Sequence, residues 1–342
     1  MHPPSLAVTA LTQNSPVLQI LLVTFPFFAL VLAGYVAARR AMLPLEAVAG
    51  LNSYVLFFAL PCMLFRFGST TPLAQLFDPA VLLVYLVCAL AMVALAVIVS
   101  RNERIGWNDA AFGALVAAFP NTGFMGVPLL VVLLGAHAAG PTIFTIALDM
   151  VFTSSLCIAL SRLPDPGAAP QAGSSVRLAL RNAIAGVARN PLPWAIVLGA
   201  VAQAVQLELP APLAQTVGLL ADSASPVALF TIGAVLARSQ ILAARGKHPA
   251  VLLRDVVPMA CMKLLLHPLL VLLVGEAAIR LGLPLERFTL KVLVLVAALP
   301  SASNVSLLAE RFGADTGRIA RIILVSTAAA FLSFSWAVTL LA

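Results

Sequence analysis

The chain has 342 residues, 62% hydrophobic and 10% charged, with a mean hydropathy of +1.06 and a formal net charge of +7. Soluble globular chains carry about 25% charged residues, so this one has too little polar surface to face water and is read as an all-α membrane protein. The positive charge comes without any basic motif interleaved with aromatics, which excludes nucleic acid as a partner.

Ten apolar stretches of about 20 residues, the length that crosses a bilayer, follow one another at 17–38, 46–66, 79–100, 108–135, 140–161, 191–209, 213–237, 252–279, 288–309 and 317–341. The first is not a secretory signal, because Met1 to Pro16 holds no Lys or Arg and so lacks a positive leading region. The loops after odd-numbered spans, with their helix ends, hold fifteen Lys and Arg, and those after even-numbered spans hold three. Cytoplasmic loops collect such residues. A multi-pass protein of the cell's inner (plasma) membrane with both termini outside is expected, and its net charge suits anionic inner-leaflet lipid. Cys62, Cys88, Cys157 and Cys261 fall in apolar spans without metal spacing and read as small buried side chains.

A duplication organises the chain. Residues 1–161 form one five-span half, 162–190 a cytoplasmic linker and 191–342 the second half. Within the linker, Arg177 and Arg181 lie one turn apart, as on a short surface helix. Spans two and seven share a motif, Ala59-Leu60-Pro61-Cys62-Met63-Leu64-Phe65 against Ala224-Ser225-Pro226-Val227-Ala228-Leu229-Phe230. Spans four and nine share Ala-Ala-(Phe or Leu)-Pro, ending at Pro120 and Pro300. With an odd number of spans per half, the second half enters the membrane upside down, and inverted repeats follow.

Spans four and nine each break at that proline. A mid-helix proline removes a donor and clashes with the preceding turn, which a membrane tolerates only where the freed groups face protein or a water-filled cavity. Asn121, Thr122 and Gly123 let span four restart, with Asn121 or Thr122 as its cap; Ser301, Ser303 and Asn304 serve span nine the same way. The restarted halves point two helix N-termini toward the midplane from opposite sides, each with partial positive charge and free N–H donors. These six residues are the candidate substrate-binding set, and a carboxylate is the natural occupant. Either proline alone reads as a packing kink, since Pro and Gly are frequent in membrane helices. Paired breaks in corresponding positions of two halves point instead to a secondary transporter's binding site.

The runs Phe119-Pro120-Asn121-Thr122-Gly123-Phe124-Met125-Gly126-Val127-Pro128, Leu299-Pro300-Ser301-Ala302-Ser303-Asn304 and Pro226-Val227-Ala228-Leu229-Phe230-Thr231-Ile232-Gly233 resemble the auxin efflux carrier family. That family includes the plant PIN-FORMED carriers and bacterial malate or malonate permeases. The resemblance covers essentially the whole chain. It implies ten transmembrane helices in two inverted five-helix repeats, similar to the bile acid sodium symporter fold, with helices four and nine broken and crossing at Pro120 and Pro300. It also implies elevator-like alternating access, with the substrate carboxylate near Asn121 and Asn304. The long cytoplasmic loop of the plant hormone exporters is missing, which favours bacterial-type organic acid transport.

Ionisable residues inside spans are costly and suggest function. Asp149 and Asp222 are candidates for binding a coupling H+ or Na+, or for pairing internally with Lys263 or Lys291. Lys263 and His267 share one helical face four residues apart; His267 reads as a hydrogen-bonded interior histidine or a proton relay. Phosphate-binding, dinucleotide, metalloprotease and nucleophile-elbow motifs are missing, so no enzyme, metal or redox cofactor is expected. The favoured reading is a secondary transporter of a small organic anion, a dicarboxylate such as malate or malonate, in contact with membrane lipid and compatible with a homodimer. The alternatives are a membrane sensor of organic acids without transport, which the lack of an appended soluble domain weighs against, and an auxin-like aromatic carboxylate exporter.

Overall fold

The computed structural model describes residues 16–70, 78–163, 191–244 and 253–341. The leading residues 1–15 and most of the linker, with the expected surface helix at Arg177 and Arg181, lie outside the described residues. What is described is helical, with no sheet.

In chain order the helices are α1 (Pro16–Arg39), α2 (Ala47–Thr70), α3 (Pro79–Ser100), α4 (Trp107–Ala118), α5 (Thr122–Leu134), α6 (Ala136–Leu160), α7 (Pro191–Ala204), α8 (Ala211–Ala244), α9 (Leu253–Arg280), α10 (Arg287–Ala298), α11 (Val305–Arg311) and α12 (Thr316–Leu341). Six of them, α2, α3, α6, α8, α9 and α12, are long and apolar enough to cross a bilayer. The predicted spans four and nine are each divided, into α4 with α5 and α10 with α11. Pro120 and Pro300 stand in the gaps. Local chemistry explains other boundaries: at α3, Asp78 accepts from the amides of Ala80 and Val81, and Pro79 opens the helix, where a missing N–H costs nothing.

Lipid gives helices no hydrophobic reason to associate, so small residues that allow close backbone approach decide the packing. α1 lies along α8, and α2 along α7 and α8. A Cβ on Gly34 would collide with the carbonyl of Phe230, and one on Gly233 with that of Val31. The α2–α7 contact is built likewise, since a Cβ on Gly199 would strike the carbonyl of Phe65 and one on Gly68 that of Ile196. Gly68 and Gly233 each stand three residues after the Phe of the motif shared by spans two and seven.

Helices α3, α4, α6, α9, α10 and α12 pack as a second group around the two breaks. Their interior is apolar, with Phe112, Leu115, Leu129, Leu293 and Phe334 buried. Arg318, buried at the start of α12, donates through a terminal nitrogen to the Asp109 carbonyl at 2.8 Å, and the Asp315 amide donates to the Asp109 carboxylate at 2.7 Å. These bonds tie α12 to the start of α4. The cysteines do not all match the expectation of burial: Cys88 and Cys157 are buried, but Cys62 is half-buried and Cys261 exposed, because α9 turns that residue off its packed face.

Candidate functional site at the broken helices

The two unwound segments pair with each other. After α4, Phe119 is extended (φ −92°, ψ 107°), and after α10 so is Leu299 (φ −62°, ψ 154°). Pro120 and Ser301 form an antiparallel bridge in which the Asn121 amide donates to the Pro300 carbonyl at 2.8 Å and the Ala302 amide to the Phe119 carbonyl at 3.0 Å. Backbone groups released by the prolines thus satisfy one another where no water could. The Ser301 amide donates to Ser326 Oγ of α12 at 3.2 Å. Gly126 admits the opposite break, since a Cβ there would lie 2.6 Å from Leu299 Cδ1.

At the restart of α5, Asn121 occupies the N-cap position, but its side chain makes no capping bond. The expected side-chain cap is not formed there. The Asn121 carbonyl instead accepts from the amides of Met125 and Gly126, and Thr122 donates its amide and hydroxyl back to the Pro120 carbonyl. Gly123 and Phe124, in the first helical turn, are left without an intrahelical acceptor. A Cβ on Gly123 would meet only Leu60 Cδ2, at the ordinary contact distance of 3.9 Å.

In the second break, Ser301 is fully buried with its hydroxyl unpartnered, and the Asn304 side-chain oxygen is also buried without a partner. Turning the Asn304 amide over would present its NH2 at the same place. The Ser303 carbonyl accepts from the amide and hydroxyl of Ser306. A narrow crevice of about 10 Å³, bordered by Phe124, Ser303 and Ser306 on one side and by Asn52, Thr231 and Val235 on the other, lies between the breaks and helices α2 and α8. Asn52, Thr231 and Ser306 were not singled out from the sequence; Thr231 lies inside the Pro226 to Gly233 run, which was the available signal.

The structure brings three of the four candidate coupling residues together. Asp149 is fully buried and accepts from Tyr85 Oη at 2.7 Å and Thr153 Oγ1 at 2.8 Å. Lys263 is fully buried, donating to the Ala297 carbonyl at 2.6 Å and lying 3.1 Å from His267 Nδ1. No direct ion pair joins Asp149 to Lys263 among the described residues, and the Tyr85 ring lies 6.4 Å from that of His267. Asp149 and Lys263 both fall in π-helical turns, Asp149–Thr153 and Met262–Leu266, an irregularity common at functional sites. Tyr85 was missed, although a lone tyrosine in an apolar span needs a partner for its hydroxyl.

Asp222 stands apart. It is exposed and pairs with Arg66 at 2.7 Å, so neither Lys263 nor Lys291 is its partner.

A helical membrane bundle whose broken helices hold each other by their backbones, leaving polar groups over at the break, has the makings of a transport protein. The chain belongs to the family described as membrane transport protein, whose model matches residues 19–338 and which embraces the auxin efflux carriers. Its relatives are transporters rather than enzymes. It is 30% identical to the "Putative malonate transporter" of Rhizobium meliloti (strain 1021), across 88% of this chain and 89% of that protein. It is 28% identical to the "Uncharacterized transporter YfdV" of Escherichia coli (strain K12), across 85% and 88%, and 23% identical to "Auxin efflux carrier component 8" of Arabidopsis thaliana, across 81% and 85%.

Proposed function

We propose that the chain is a secondary transporter of small organic anions, dicarboxylates such as malonate or malate, and that a substrate carboxylate binds at the crossing of the two breaks. The observation that carries this reading is the polar set there: the unpartnered Ser301 Oγ and Asn304 side-chain oxygen, with the first-turn amides of α5. Donors at a helix N-terminus suit an anion. The malonate named for the Rhizobium relative agrees in charge and size.

The architecture we infer is ten crossings in two inverted five-helix repeats, with both termini outside the inner membrane. The shared motif and the matching glycine contacts of α1–α8 and α2–α7 support it, because exchanging the halves turns one contact into the other. At about 10 Å³ the crevice has no room for a dicarboxylate, so substrate entry requires α2 and α8 to separate from the breaks. Alternating access by sliding one helix group past the other supplies that motion. Asp149, with Lys263 and His267, remains the candidate for coupling to H+ or Na+.

The test is ligand-induced stabilisation of purified protein. At about 100 times its dissociation constant, a ligand specific for the folded state stabilises it by about 2.7 kcal/mol. Malonate or malate should raise the wild-type unfolding temperature, and Asn121→Ala and Asn304→Ala should lose that response while keeping the unliganded unfolding temperature. Normal responses in both variants would refute the site.

A further inference from the structure

An opening of about 530 Å³ lies away from the crossover, between the end of α3, the Asn102–Ile105 turn after it and the first turns of α9 and α12. That is the size of a small-molecule pocket. Three arginines line it from three elements: Arg104 from the turn, Arg254 from α9 and Arg318 from α12. Arg318 is buried and held by the fold, its Nε 3.4 Å from the Asp255 carbonyl and a terminal nitrogen 2.8 Å from that of Asp109. The other two are exposed. Arg104 faces the Asp255 carboxylate at 3.8 Å, too far for a hydrogen bond, and Arg254 has no side-chain partner among the described residues. Ser100, in the α3 wall, is buried with its hydroxyl unpartnered. A serine at a helix end can return its hydroxyl to the preceding turn, as Ser161 does to the Ile158 carbonyl, but Ser100 does not.

The lining also includes Glu103 and Asp255. Three guanidinium groups against two carboxylates leave an excess of one positive charge, which suits a monoanion better than a phosphate monoester with its two charges. The surroundings are those of a membrane interface. Val99, in the wall, is exposed, as are Ile98 of α3 and Leu253 and Val257 of α9, and α3 packs against α9. Trp107 lies under the Arg101 guanidinium at 4.2 Å at the same end, and Trp is enriched where membrane meets water. Basic pockets between helices on the cytoplasmic side take lipid headgroups.

We propose that this opening binds the phosphodiester of a monoanionic inner-leaflet phospholipid, with the chemistry of phosphatidylglycerol. Arg104, Arg254 and Arg318 meet the phosphate, the Ser100 hydroxyl is a further donor, and Glu103 and Asp255 accept from the glycerol hydroxyls. The inference takes only the inward orientation of these helix ends from the transport reading. Since α3, α9 and α12 all belong to the group around the breaks, a bound headgroup clamps that group together at one end.

The test compares unfolding temperatures in mild detergent, with added phosphatidylglycerol, phosphatidylethanolamine or inorganic phosphate, and needs no transported substrate. Three proteins are heated: the wild type, the double variant Arg104→Gln with Arg254→Gln, and a control that loses the same charge at the exposed end of α1, Arg39→Gln with Arg40→Gln. Without lipid the three should unfold alike, as expected of surface substitutions. Phosphatidylglycerol should stabilise the wild type and the control equally. The Arg104/Arg254 variant should need at least about ten times more lipid for half the effect, because charge-assisted hydrogen bonds are lost. Phosphatidylethanolamine, without net charge, should do less. An equal loss in both double variants would mean general attraction to anionic lipid and overturns the proposal. So does a wild type indifferent to phosphatidylglycerol, or one stabilised as well by phosphatidylethanolamine. Stabilisation by inorganic phosphate that the Arg104/Arg254 variant loses would make free phosphate the ligand and also contradicts it. Should the double variant not accumulate, Arg254→Gln alone gives the same comparison.

Discussion

Tyr85 carries a consequence that its neighbours in α3 do not. Its hydroxyl is one of two donors to the buried Asp149 carboxylate, and a hydrogen bond to a charged group contributes about 1.5–3 kcal/mol. Tyr85→Phe should therefore destabilise the protein by about 2 kcal/mol. In combination with Asp149→Asn the losses should fall short of additive by about 1–3 kcal/mol, since the two residues share one bond. Reversible denaturation of the four proteins of this cycle measures the coupling, and strict additivity would mean that the contact contributes nothing. That Asp149 matters was legible from an acid in an apolar span. Which lysine lies near it was not, because Lys263 and Lys291 are equivalent by composition and only the packing of α9 against α10 separates them. The partner of Asp222 was hidden for a related reason: hydropathy does not tell which face of α8 a residue takes, and Asp222 faces outward to Arg66 rather than inward to a lysine.

Among the elements, the two glycine contacts set how closely α1 meets α8 and α2 meets α7. Gly233→Ala places a methyl against the Val31 carbonyl, and Gly199→Ala does the same at Phe65. Backbone atoms cannot step aside as a flexible side chain would, so each helix pair must separate. Overpacking of this kind costs about 1–3 kcal/mol, and both variants should lose that much stability, whereas Gly50→Ala, with nothing within 4 Å of the added carbon, should not. Equal stability of all three would mean that the close approaches are not important to packing. The motif before Gly68 and Gly233 was visible as a repeat, but the glycines' role was not, because a contact between distant helices leaves no local pattern. The broken helices were the reverse case. A proline followed by Asn-Thr-Gly or Ser-Ala-Ser-Asn announces its own interruption, and the sequence pattern located both breaks. Their backbone pairing through Pro120 and Ser301 needed coordinates, as did the failure of the Asn121 side chain to cap α5, which leaves the amides of Gly123 and Phe124 uncapped.

For the molecule as a whole, the decisive distinction is between moving an anion across the membrane and only holding it. Apolar spans and family membership define a membrane transport protein, and the crevice between the breaks and helices α2 and α8 is too small to hold a dicarboxylate unless the helix groups shift. A carrier that alternates in this way must exchange substrate across a sealed membrane. Counterflow of labelled malonate into vesicles preloaded with unlabelled malonate tests this most directly. The account predicts transient accumulation of label by the wild type, none in vesicles loaded without malonate, and none with Asn121→Ala or Asn304→Ala. Label that binds without entering the lumen, or equal counterflow by both variants, would contradict it.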